Sequence, residues 1–310
     1  MARRSNDPPL RGVLLVDKPA GLTSHDVVGR VRKELGMRRV GHAGTLDPMA
    51  TGVLVIGVGP TTRLLGIVGA HDKEYTATIR LGSTTTTDDR EGDVLASADP
   101  QVVSALTDDA IAEAVGGFIG TIQQRPSAVS AVKIDGTRAY ERVRSGEAVS
   151  LPERTVTVTA FEIVAIRRSS QSIDVDVRVE CSSGTYIRAL ARDLGQALGV
   201  GGHLIALRRT RSGHVSVSDC LAIEDVSVDA LVSPASFART ELPVVDIDEA
   251  AAVRARHGSA LAMDIPDALV VALIGPGEDL VAVVEPGPRY LAVFPRPEWD
   301  GQEASNDIVR

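Results

Sequence analysis

Aromatic residues and cysteines are scarce in this sequence. Phe, Trp and Tyr together make up 3% of the chain, and two cysteines, Cys181 and Cys220, cannot build a disulfide framework. Neither lies in a C-x-x-C or histidine spacing suited to zinc, so both are expected to be buried small apolar residues. There is no run of about 18 apolar residues, and nothing is expected to span a membrane. Residues Met1 to Pro9 are charged and proline-containing, without the apolar stretch of a secretory signal, which implies a cytoplasmic location. No metal-ligand cluster and no phosphate loop are found. Gly57-x-Gly59 is followed by Pro60 and lacks the third glycine and the acidic residue of a dinucleotide site, so no cofactor is expected.

What is present fits an ordinary globular protein. The 310 residues, 44% hydrophobic and 24% charged, allow one large domain or a large one with a small one. A net charge of -8 argues at face value against a nucleic-acid partner. The charge is unevenly divided, however. Residues 221 to 310 hold 16 acidic and 6 basic side chains, whereas residues 1 to 220 hold 25 acidic and 27 basic. Arg30, Arg32, Lys33, Arg38 and Arg39 form one basic cluster, and Arg208, Arg209 and Arg211 another. Phosphate binding needs local positive potential, not a basic chain.

The stretch from Gly41 to Gly52, GHAGTLDPMATG, leads into the apolar VLVIGVG of residues 53 to 59. Pro48 biases Asp47 away from helix and toward extended backbone, so Asp47 is presented on a stiff loop at the lip of a buried strand. A turn aspartate bonded to nearby backbone N-H groups would satisfy the same pattern. Upstream, Gly12 to Ser24 reads as a short buried strand, a Pro/Gly turn and a helix capped by Thr23 or Ser24, with Val27, Val28, Val31 and Leu35 at helical spacing. Downstream, Thr61 to Leu65 starts a short helix. Lys73 to Gly82 alternates as a half-buried strand. Ser83 to Val94 is a polar loop, and residues 107 to 117 form a helix capped by Thr107. Val156 to Thr159 and Ile173 to Val179 read as a solvated antiparallel hairpin, with a polar turn over residues 167 to 172. A glycine turn at Gly184 enters a helix bearing Arg188, and an arginine at a helix start calls for a carboxylate partner. His203 reads as a satisfied turn histidine. From about residue 238, short strands broken by Gly/Pro turns form a small β region.

These motifs, in this order, resemble those of the TruB family of tRNA pseudouridine synthases. They are DKPAGLTS at 17 to 24, GHAGTLDPMATGVL at 41 to 54, K-x-Y and L-G across 73 to 82, a loop over 83 to 94 like the family's T-x-T-D-x-x-G segment, Q-x-P from Gln124, SSGTYIRALARDLG at 182 to 195 and HLIALRRTRSG at 203 to 213. The segment from Gln124 to Glu141 departs from the family pattern, with Ser127 in place of a second proline and Val129 in place of an aromatic. The resemblance implies an α+β fold: a catalytic domain over residues 1–235, with a mixed, mostly antiparallel sheet flanked by helices, and a small PUA-like β domain over 236–310. It implies isomerisation of the T-loop uridine of tRNA, position 55, with the tRNA T-arm as partner, no metal, no membrane and a monomer needing no protein partner. Asp47 would be the catalytic carboxylate, Arg188 its guanidinium partner and Tyr75 the residue that stacks on the base. His42 would stabilise the emptied stack, and Tyr186 and Leu207 would wall the flipped uracil. Lys18 would touch phosphate or support the active-site loop. A guide-RNA-dependent synthase of the related eukaryotic and archaeal group is the near alternative, and a non-catalytic RNA-binding module the alternative of another class.

Overall fold

The structure is a computed structural model. It describes residues 10–127, 152–261, 270–287 and 289–296, together with the backbone of 133–134 and 137–138. Expectations for Val129 and for the segment around Tyr140 fall outside the described residues. The fold is α+β, and the chain divides into two compact units. Residues 1–47, 53–69 and 213–310 form the first, residues 48–52 and 70–212 the second.

In the first unit, β1 (Gly12–Lys18) pairs with β14 (Leu221–Ala222) and lies beside β3 (Thr51–Val58), which also pairs with β2 (Val40–Ala43). Apolar residues at helical spacing bury one side of α1 (Ser24–Leu35) against Leu14, Val16, Leu54 and Ile56. Thr23 is its N-cap. The Thr23 side chain accepts from Asp26 N-H while the Asp26 carboxylate accepts from Thr23 N-H, a reciprocal box that satisfies two donors at once. The expected short helix at Thr61 begins earlier, as a 3-10 turn over Gly59–Leu64, and continues into α2 (Leu65–Val68).

A smaller sheet follows residue 236, in the order β15 (Val244–Asp246), β16 (Val271–Gly275), β17 (Asp279–Glu285), β18 (Arg289–Val293). Its central strands are buried on both faces, which explains their unbroken apolar runs. One face packs on α7 (Glu249–Arg256) through Ala252 and Ala255; the other shares a core with Val13, Val53, Val55 and Phe237 of α6 (Pro234–Glu241). Cys220, expected buried, is half-buried, with its thiol against the Ser216 carbonyl. It packs at the margin of the core that holds Val13, Val53 and Val55.

The second unit is a mostly antiparallel sheet in the order β12 (Gly202–Ser212), β4 (Lys73–Leu81), β11 (Ile173–Cys181), β10 (Arg154–Arg168), β7 (Gly120–Gln124). Thr51 and Gly52 run parallel to Arg208 and Arg209. The hairpin from 155 to 181 is antiparallel as expected, but it is not a solvated pair: β11 is bonded on both sides, to β4 and β10. Its first strand is also far longer than Val156 to Thr159. Register shifts between Val158 and Ala160 and between Ile163 and Ala165 mark bulges that break the period-2 pattern where the reading stopped. The loop from 83 to 94 contributes β5 (Ser83–Thr85), paired with β6 (Val94–Ser97). Helices α3 (Pro100–Ala105) and α4 (Asp108–Gly116) follow, with Thr107 capping the latter. Lys133–Ile134 and Thr137–Arg138 form the short pair β8 and β9. Helix α5 (Ile187–Ala197) packs on β12 where Gly195 meets Gly202, and a Cβ at Gly195 would lie 2.1 Å from the Gly202 nitrogen. Burial pushes the Cys181 thiol up to about 11, so this cysteine is an inert core residue.

Candidate active site

The loop that carries Asp47 hangs on the first turn of α1. Ser24, expected as a possible cap, instead points its buried hydroxyl at Leu46: it donates to the Leu46 carbonyl at 3.1 Å and accepts from the Leu46 N-H at 2.8 Å. One hydroxyl thus fixes both main-chain groups of the residue before Asp47. Gly44 takes a φ of 87°, and Pro48 follows directly, so Asp47 is held between a left-handed turn, a side-chain clamp and a ring-restricted residue. The side chain of Asp47 is half-buried. Replacing Ser24 by Ala should free the Asp47 loop while the α1 cap at Thr23 survives, raising amide exchange at Leu46 and Asp47 about tenfold or more and leaving α1 protected. Hydrogen-exchange measurements on the variant check this.

His42, on β2 opposite Ile56, stacks edge to face with His25, the ring centroids 5.5 Å apart. That partner carried no sequence signal, since His25 sits on an exposed helix face. Lys18 is fully buried, and its ammonium donates to the Pro19 carbonyl at 3.0 Å and the Leu22 carbonyl at 2.6 Å. With no exposed surface it has none to offer a phosphate. Both of these ammonium contacts are to the 19 to 22 turn.

In the second unit, the sheet brings Tyr75 and Leu207 onto one face. Tyr75 lies opposite Val179 on one side and Arg209 on the other, and Leu207 lies opposite Ala77. Leu207 and Tyr75 are therefore diagonal neighbours across β12 and β4. A register shift between Leu204 and Ala206 makes this possible, since the extra residue lets both Leu204 and Leu207 face inward although they are three apart. Gly52 is required beside them, because with φ at 105° a Cβ there would lie 2.1 Å from the Arg209 carbonyl oxygen.

Arg188 and Tyr186 come from the start of α5. Arg188 is 5% exposed, so its charge needs compensation. It donates to the Thr87 carbonyl at 2.8 Å and lies 3.5 Å from a carboxylate oxygen of Asp89, itself 3% exposed. The expectation that Arg188 has a carboxylate partner is thus met within this unit by Asp89, which sequence reasoning missed. Asp89 sits in a run of threonines and acids that reads as a polar loop resembling the family's T-x-T-D-x-x-G segment, with nothing in it to name Arg188 as the partner. Its other oxygen accepts from the Thr87 hydroxyl at 2.5 Å and the Glu91 N-H at 3.0 Å. The preceding residue, Asp88, adopts a left-handed φ of 59°, its carbonyl accepts from Leu204 N-H, and its carboxylate meets Arg192 of α5 at 3.2 Å. The loop is therefore stapled to both β12 and α5. Tyr186 is half-buried, with the Arg154 guanidinium 5.2 Å from its ring centroid. His203 lies on β12 and not in a turn, and its Nδ1 is 3.1 Å from the Ser83 carbonyl. Among the described residues, no three His, Cys, Asp or Glu side chains are grouped as metal ligands, and no helix is long and apolar enough to cross a membrane.

Comparison with known proteins bears on this arrangement. Residues 32–187 match the TruB family pseudouridylate synthase (N terminal domain), and residues 188–242 match the tRNA pseudouridylate synthase B C-terminal domain. The tRNA pseudouridine synthase B of Leifsonia xyli subsp. xyli is 51% identical over 93% of this chain and 97% of its own length. That of Cutibacterium acnes is 55% identical over 89% and 93%. Among solved structures, an H/ACA RNP bound to a substrate RNA containing 2'-deoxyuridine is 28% identical with a TM-score of 0.68, over 93% of this chain and 86% of that one. With motif order, fold and this likeness in agreement, the chain belongs to the TruB family of pseudouridylate synthases, which are isomerases.

Proposed function

We propose that this enzyme converts the T-loop uridine of tRNA, position 55, to pseudouridine, acting in the cytoplasm as a monomer without metal or cofactor. Residues 236–310 would form the small PUA-like domain and residues 1–235 the catalytic one. The observation that carries the reading is a buried guanidinium, Arg188, on the helix that packs against the strand bearing Leu207, with Tyr75 diagonal to that leucine. A buried cation favours an ionised carboxylate and offsets the cost of drying it. The relatives named above at about half identity are called tRNA pseudouridine synthases, which supports tRNA as the substrate.

The reaction is balanced within the nucleotide. The N1 to C1' bond breaks, the base turns, a C5 to C1' bond forms, the C5 proton leaves and N1 gains one. Asp47 serves as the carboxylate, attacking C1' or removing a C2' proton on the way to a glycal. Arg188 pairs with it, and Tyr75 stacks on the base and assists loss of the C5 proton. Flipping the uridine out of its stack costs a few kcal/mol. His42 fills the space left behind, while Tyr186 and Leu207 wall the displaced base.

Leu207→Ala should slow isomerisation of a bound T-arm transcript by about tenfold and leave RNA affinity within about twofold, since a wall of the base pocket is lost but no phosphate contact. An unchanged single-turnover rate would refute its role. The substrate assignment is tested by mapping pseudouridine in an unmodified transcript. Modification at the T-loop uridine, lost when that uridine alone is replaced by cytidine, supports it, and modification at other uridines contradicts it.

A further inference from the structure

Helix α5 begins without a side-chain cap. Tyr186 occupies the N-cap position, and its side chain bonds no main-chain N-H of the first turn. The hold comes from another strand. Gln124, the last residue of β7, is fully buried, and its carboxamide takes both main-chain groups of Tyr186. The Tyr186 N-H donates to Oε1 at 2.7 Å, and Nε2 donates to the Tyr186 carbonyl at 3.0 Å. A buried amide used at both ends cannot turn without leaving polar groups unpaired. The next residue after β7 is tied to the same helix, by Arg192 of α5 donating to the Arg125 carbonyl at 2.8 Å. The Arg154 guanidinium meanwhile covers the Tyr186 ring at cation-π distance.

We infer that Gln124 is a positioning residue for the isomerisation: it fixes the Tyr186 ring at the base pocket, with Arg154 behind it, and sets the helix turn from which Arg188 projects. This rests on the reading of Tyr186 as a wall of that pocket. Both main-chain bonds depend on the length and the two-sided chemistry of glutamine. Leucine at 124 removes both, whereas glutamate keeps the acceptor and places a second oxygen against the Tyr186 carbonyl.

The test compares the full chain with Gln124→Leu and Gln123→Ala. Gln123 is the exposed neighbour on the same strand, and its amide bonds the Thr155 hydroxyl at 2.9 Å, so its loss loosens the same strand pair without touching Tyr186. The chain has four tyrosines, Tyr75, Tyr140, Tyr186 and Tyr290, and fluorotyrosine labelling with Tyr186→Phe as reference assigns the Tyr186 fluorine signal. That signal should shift or broaden in Gln124→Leu and stay in place in Gln123→Ala. The single-turnover rate on a T-arm transcript should fall about tenfold in Gln124→Leu alone, with RNA Kd within about twofold. An unmoved signal in Gln124→Leu overturns the inference. A moved signal with full rate overturns its catalytic part and removes Tyr186 from the pocket wall. If the unmutated enzyme binds the transcript without isomerising it, the substrate reading fails and the fluorine signal alone decides: moved supports the positioning role, unmoved overturns it.

Discussion

Asp47→Asn is expected to reduce single-turnover pseudouridine formation by about a thousandfold or more while changing tRNA affinity by less than about threefold. Asparagine keeps the size of the side chain, and the loop around it is shaped by Ser24, Gly44 and Pro48, none of which depends on the charge. What is lost is the anion. An amide oxygen neither attacks C1' nor accepts a proton from C2' at a useful rate, so the effect falls on chemistry and not on binding. Filter binding beside a quench assay separates the two. A parallel loss of affinity would mean that Asp47 shapes the loop, which is the turn-aspartate alternative its sequence setting allows.

The second large effect is expected at Asp89. Asp89→Ala removes the acceptor of the Thr87 hydroxyl and Glu91 N-H together with a carboxylate 3.5 Å from Arg188, a guanidinium that is 5% exposed. Breaking a buried ion pair from one side costs about 3–5 kcal/mol, so the variant should lose most of its stability margin and nearly all activity. Asp89→Asn separates the causes. It keeps an acceptor for the loop donors but not the charge beside Arg188, so its stability loss should be smaller than that of Asp89→Ala by the share the loop hydrogen bonds carry, while activity remains strongly reduced because a carboxylate that holds Arg188 in place is gone. Denaturant unfolding measured with turnover decides between them. Equal stability loss in the two variants would show that the charge, not the hydrogen bonding, holds the loop.

Asp89 also marks where sequence reasoning reaches its limit. The alternation of Lys73 to Leu81, the apolar spacing on α1 and the Thr107 cap are local signals, and each is realised where the pattern placed it. Asp89 acts through a residue 99 positions away, inside a threonine-rich loop with no periodicity to announce it. Ser24 and Gln124 are similar: each is a side chain serving the main chain of a distant residue, which composition and spacing do not encode. Alternation also tells which face of a strand is buried but not whether its edges are paired, so the 155 to 181 hairpin reads as solvated although β11 lies between two strands. Bulges at β10 and β12 hide strand length and re-aim Leu207, which only the register reveals. Asp47, Tyr75 and Arg188 stand out as candidates because their motifs follow one another in the order of a known family, and not through any local pattern of their own.

The most direct test of the central claim is release of tritium from C5-labelled uridine in an unmodified tRNA T-arm transcript, with enzyme and Asp47→Asn side by side and a chelator present. Release by the unmutated enzyme alone is the expected result, since isomerisation must expel the C5 proton and, on the proposed mechanism, Asp47 starts it. Release by both proteins would contradict the role of Asp47, and release by neither, with the transcript still bound, would contradict the reaction itself.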